Sequence, residues 1–256
     1  HSLFPLYDMN FPYYDTFSLG RFSPLAGQEF NLPIIFNLSL DNFRYFLFFE
    51  FLLLIYLASK LFNKNYFLEF KPYHYLLFLI LIILSPGFII TSTRFLYSED
   101  FLSLLIITFF ILYCSHKYNN KFSLINKTAL FFILFIILLY KESSFIFFSS
   151  FFFLSIFFDY RLKKINYFDI ILFLLCIIYI SIYYYVRSYF LGDYVYANPE
   201  NILNLKNIFF TFARFFLNDI ILFLILIPSS FIYIIKNDNN FYKAIFISSV
   251  FFIIFY

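Results

Sequence analysis

Phe168–Val186 reads FDIILFLLCIIYISIYYYV, a continuous apolar run in which Asp169 is the single charged residue. About twenty residues of α-helix cover about 30 Å, the hydrocarbon thickness of a bilayer. Such runs recur along the chain. Asn42–Phe62 carries Glu50 inside it. Tyr73–Ile90 is interrupted at its far end by Ser85-Pro86-Gly87. Phe101–Ser115, Phe215–Ile235 (with Pro228 inside) and Ala244–Tyr256 follow the same composition. In lipid, every backbone polar group must be satisfied within the structure, which leaves helices and closed barrels. A barrel needs short alternating segments, and these runs are continuous. The expected fold is therefore all-α, a polytopic helical membrane protein with about 7–8 membrane helices.

Thr128–Tyr140 and Phe145–Phe158 are separated by Lys141-Glu142-Ser143-Ser144. As one helix, residues 128–158 would reach about 46 Å, too long for an ordinary span; as two, each is about 20 Å. The spacing predicts a short, half-length helix pair meeting at a polar corner. Composition supports the bilayer: 63% of residues are hydrophobic and 13% charged, against about 25% charged in soluble domains. The 47 Phe and 24 Tyr have AT-rich codons and point to an AT-rich, bacterial genome rather than to an aromatic platform. Cys114 and Cys176 both lie in apolar runs, and His1, His74 and His116 lack ligand-like spacing. A net charge of +3 implies no nucleic-acid partner.

Loops assigned alternately to two sides segregate the basic residues. Lys60, Lys64, Lys71, Lys117, Lys121, Lys127, Arg161, Lys163, Lys164, Lys236 and Lys243 share one side, eleven of the 18 Lys and Arg. The positive-inside rule makes that side cytoplasmic. Residues 1–41 then form an extracytoplasmic acidic loop, and residues 42–256 a multi-spanning helical domain. The first residue is His1, and the apolar run Ala244–Tyr256 stops short; the expectation is a piece of a longer polytopic protein, cut at both ends. The expected location is a bacterial inner (plasma) membrane with the working face extracytoplasmic.

Three stretches share that outer side. The opening stretch, LYDMNFPYYDTFSLGRFSPLAGQEFN from Leu6 to Asn31, carries Asp8 and Asp15. TRFLYSEDFLSLL carries Arg94, Glu99 and Asp100. LLYKESSFIFF carries Lys141 and Glu142. In order and sidedness the layout resembles the GT-C superfamily of membrane glycosyltransferases, which includes protein O-mannosyltransferases and bacterial lipid A aminoarabinose transferases. The resemblance covers roughly residues 1–160 and departs in lacking the helix that the family places before its first loop.

The resemblance implies transfer of a sugar from a polyprenyl-phosphate donor to the hydroxyl of a glycan, lipid or protein acceptor outside the cytoplasm. Such chemistry needs a carboxylate to take the acceptor proton and cations to steady the leaving phosphate. Asp8 and Asp15 are the catalytic candidates, Asp8 first by its loop position; each also reads as a turn or N-cap residue. Arg21, Arg94, Glu99, Asp100, Lys141, Glu142 and Arg187 are the candidates for substrate or phosphate binding. Arg21 equally pairs with Glu29 or Asp15. Ser98 reads as a helix cap with Glu99 and Asp100 in the first turn. Lys141–Glu142 reads as a local pair, and Arg187 as a snorkelling helix end. No cofactor is identified: paired acids leave a divalent metal open, and no ligand spacing demands one. The alternative reading is a polytopic transporter, flippase or polymerase of envelope polysaccharide.

Overall fold

The computed structural model describes residues 40–63, 99–118, 123–141, 143–163, 166–186 and 240–255, together with Leu25, Ala213, Pro228, Phe231 and Ile232. These residues form six helices and, among the described residues, no strand. They are α1 (Leu40–Asn63), α2 (Glu99–Tyr118), α3 (Leu124–Tyr140), α4 (Ser144–Arg161), α5 (Tyr167–Val186) and α6 (Asn240–Phe255). The all-helical expectation holds over them. The expected spans at 73–90 and, for the most part, at 215–235 lie outside the described residues.

The chain divides into two units. The first comprises His1–Pro12 and Pro24–Tyr140, the second Tyr13–Ser23 and Lys141–Tyr256. In the first, α2 packs on both α1 and α3. The α2–α3 pair is antiparallel: Phe101 at the start of α2 lies 5.6 Å, ring to ring, from Tyr140 at the end of α3. At the opposite end the charge of Lys127, in the first turn of α3, reaches His116 in the last turn of α2. Ser123 starts α3 as a cap; its Oγ and its carbonyl both accept the Asn126 N–H, at 3.3 and 3.1 Å. The core face of α3 is Leu130, Leu134, Ile137 and Leu138, all fully buried, at the spacing of one helical stripe. Phe109 and Tyr113 of α2 are also fully buried and stack at 5.8 Å.

In the second unit α4 packs on both α5 and α6. Phe147 meets Phe252 at 6.4 Å and Phe151 meets Phe241 at 5.9 Å, so α6 runs antiparallel to α4. Ala244 and Ser248 of α6 are fully buried one turn apart, small residues of the kind that let helix backbones approach closely. Helix hydroxyls are satisfied internally. Ser150, Ser181, Ser248 and Ser249 each donate to the carbonyl four residues back, at 2.7–3.0 Å, which hides the O–H from an apolar environment.

The corner at 141–144 does separate two helices, but the half-length expectation is corrected. α3 has 17 residues and α4 has 18, about 26 and 27 Å at 1.5 Å per residue. Helical bonding runs through the polar flanks, Leu124–Lys127 and Asp159–Arg161, because both contain good helix formers and Ser123 supplies the cap. α2 similarly begins at Glu99 and runs to Tyr118, beyond the apolar core Phe101–Ser115.

Among the described residues, two helices, α4 and α5, are long and apolar enough to cross a membrane, and only 28% of each apolar stretch is buried. The core helix of a soluble protein is mostly buried. Here the uncovered residues are the large apolar ones: on α5, Ile171, Leu174, Ile178 and Ile182 are exposed, while Asp169, Leu172, Cys176 and Tyr179 face inward. On α1, Glu50 and Leu54 are buried one turn apart, while Tyr45, Phe49, Leu52 and Tyr56 are exposed. Faces of large exposed apolar residues are not the pattern of water-facing helices.

Candidate functional site

The last four carbonyls of a helix have no partner within it. At the end of α3 one of them, that of Leu139, accepts the backbone N–H of Leu25 at 3.2 Å. Leu25 is the described residue of the opening stretch, and this bond holds it at the end of α3. Tyr140 is buried beside it and packs against Phe101, which follows Glu99 and Asp100 in the first turn of α2. One end of the first unit thus collects Leu25, the start of α2 and the close of α3. Glu99 and Asp100 open α2, at the helix end whose dipole favours acidic residues, which agrees with their reading as first-turn acids.

The other end of this unit is basic. Burial first, then the positive charges of Lys127 and Lys117, hold the His116 imidazole below its ordinary range. Lys117 folds back so that its ammonium lies 5.9 Å from the centre of the Tyr113 ring. Lys60 does the same over Tyr56 at 5.9 Å, and in the second unit Arg161 does so over Phe157 at 6.0 Å. In each case a cation in a helix's last turn lies over an aromatic ring one turn back. A side chain leaning toward its own helix N-terminus produces that contact, and a C-terminal cation also complements the dipole.

Of the residues named from sequence, Asp8, Asp15, Arg21, Arg94, Glu142 and Arg187 lie outside the described residues. Glu99 and Asp100 are placed as the first two residues of α2. Lys141 is half-buried, and its carbonyl accepts the Ser144 N–H at 3.0 Å. Ser143, at the start of α4, is buried without using its hydroxyl as a cap.

The structure also shows a polar cluster that the sequence reading passed over. Asp169 is fully buried. Its Oδ2 accepts the Ser155 hydroxyl of α4 at 3.1 Å, and its Oδ1 accepts the Asn166 side-chain amide at 3.2 Å. Asn166 in turn caps α5, its Oδ1 accepting the Phe168 N–H at 3.1 Å. A donor from another helix, a cap and a third-position carboxylate therefore close into one network that joins α4 to α5. The Asn-x-x-Asp spacing ahead of an apolar run is a helix-start signal related to the capping box, and would have flagged it. Among the described residues no group of three or more His, Cys, Asp or Glu gathers to hold a metal ion.

Comparison with protein-family models, with curated proteins and with solved structures finds no match to this chain.

Proposed function

We propose that this chain is the core of a multi-spanning helical membrane protein, and that it transfers a sugar from a polyprenyl-phosphate donor to an extracytoplasmic hydroxyl in the manner of the GT-C glycosyltransferases. The observation that carries the proposal is the bond from Leu25 to Leu139. It sets Leu25 at the end of the first unit where α2 starts, away from the end that holds His116, Lys117 and Lys127. A lipid-linked donor needs polar residues where its phosphate leaves the bilayer, with the basic ends on the other side, and the position of Leu25 supports that reading. In the proposed reaction Asp8, or Asp15 in its place, takes the acceptor proton. Arg21, Arg94, Lys141 and Arg187 offset the phosphate charge as the glycosidic bond breaks, and Glu99, Asp100 and Glu142 orient the sugar hydroxyls.

The test is reconstitution of the intact protein in lipid with a panel of polyprenyl-phosphate sugars, following release of the lipid phosphate. Turnover with one donor, lost on Asp8→Asn or Asp15→Asn, supports the reading; no turnover with any donor sinks it. A second reading, an ion-coupled transporter, is favoured by one observation: Glu50 and Asp169, both carboxylates, are buried within apolar helices, and such residues often mark ion pathways. Uptake driven by an imposed ion gradient, without phosphate release, would select it.

A further inference from the structure

We propose that the end of α4, with Lys163 beyond it and the exposed Tyr167 that opens α5, is a binding site for the headgroup of an anionic phospholipid; the inference rests on the membrane reading above. α4 ends at Arg161, and Leu162, the C-cap, donates its N–H to the carbonyls of Phe158 and Asp159. Lys163 then adopts a positive φ of 56°. That left-handed conformation is usually given to glycine after a helix, because a Cβ there meets the neighbouring carbonyl. The chain instead holds a lysine in it.

Tyr160, Arg161, Leu162, Lys163 and Tyr167 are all exposed. They form a knob in which an exposed leucine lies between two cations and the whole is flanked by tyrosines. Tyrosine rings favour the headgroup level of a bilayer, and basic residues beside them favour anionic lipid.

Among the described residues, the acids nearest in sequence face away from the knob. Asp169 is fully buried, and its oxygens are engaged by Ser155 and Asn166. Asp159 is half-buried and, two residues before Arg161, points to a different side of α4. The buried cluster also ties α5 at its third residue to α4. Two exposed cations beside exposed apolar faces complement a phosphate headgroup whose acyl chains lie along α4 and α5. Arg161 supplies a planar fork for phosphate oxygens and Lys163 a point charge.

The experiment places the full chain in phosphatidylcholine nanodiscs. Photo-crosslinkable phosphatidylglycerol is titrated in, with photo-crosslinkable phosphatidylcholine as the paired probe, and adducts are mapped by peptide mass spectrometry. Phosphatidylglycerol is expected to label residues 160–167 at lower concentration than phosphatidylcholine. Arg161→Gln with Lys163→Gln should raise the half-saturating concentration about fivefold per cation removed. Lys163→Arg should keep the preference, and raised salt should erode it. Equal labelling by the two lipids, or an unchanged preference in the double variant, overturns the inference. A chain stripped from membranes by alkaline carbonate overturns the membrane reading as well. A chain that stays in the membrane without headgroup preference overturns this inference alone.

Discussion

Ser155 and Asp169 provide a quantitative test of how the α4–α5 pair is held. The perturbation is a double-mutant cycle, Ser155→Ala, Asp169→Ala and both. The Ser155 hydroxyl donates to Asp169 Oδ2 at 3.1 Å, and the carboxylate is fully buried. A hydrogen bond to a charged group in a water-soluble protein contributes about 1.5–3 kcal/mol. Hydrogen bonds between membrane helices average about 0.6 and reach about 1.7 kcal/mol, because helices separated in lipid find other partners. Asp169 lies two residues beyond the exposed Tyr167, at the edge of the apolar run, so the expected coupling is intermediate, about 1–1.5 kcal/mol. Asp169→Ala alone also strands the Asn166 amide and removes a first-turn charge worth about 0.3–1 kcal/mol. Its total cost should be about 3 kcal/mol, against about 1–2 for Ser155→Ala. The assay is reversible unfolding in mixed micelles, with the midpoint shift of each variant converted to free energy. A coupling below about 0.3 kcal/mol, the level at which independent sites add, would refute the clamp.

Two further outcomes follow from the exposure pattern. Ile178→Lys places a charge on the uncovered face near the middle of α5; membrane insertion measured with a glycosylation-tagged segment should worsen by about 3–4 kcal/mol, whereas unchanged insertion would mean that this face does not meet lipid. Cys114 and Cys176 are both fully buried, and only an accessible thiolate reacts quickly, so a water-soluble maleimide should label neither until the protein is unfolded; rapid labelling of the folded chain would contradict the packing of α2 or α5.

Much of the helix pattern was legible because apolar continuity dictates it. Asn42–Phe62 became α1, Leu40–Asn63, and Phe168–Val186 became α5, Tyr167–Val186. The ends were less legible. Glu99 and Asp100 were legible as first-turn acids, but at the other edge His116 and Lys117 look like loop and yet suit a helix end, so α2 absorbs them too. The same effect lengthened the pair expected to be half-length. Tertiary partners were not legible. Asp169 stood in the sequence only as the single charge of an apolar run; its buried partner is Ser155, fourteen residues away on another helix. Nor could spacing tell that Leu25 would close the end of α3, since any free N–H satisfies an orphan carbonyl equally well. The catalytic candidates Asp8 and Asp15 fall in a stretch without periodicity, where sequence names residue types but no geometry.

The outward face of α5 has a consequence for how this chain tolerates change. Positions such as Ile171, Leu174, Ile178 and Ile182 ask only for an apolar side chain, since lipid has no shape for a residue to complement. Codons for phenylalanine, leucine and isoleucine are one base apart, so drift among the three is nearly silent on that surface. Ser155, Asn166 and Asp169 have no such freedom, because each completes a bond that the others need. The least replaceable residues of this helix pair are therefore among its least hydrophobic. A version of the chain rewritten freely on its outer stripes, with those three kept, should retain the same pairing of α4 and α5.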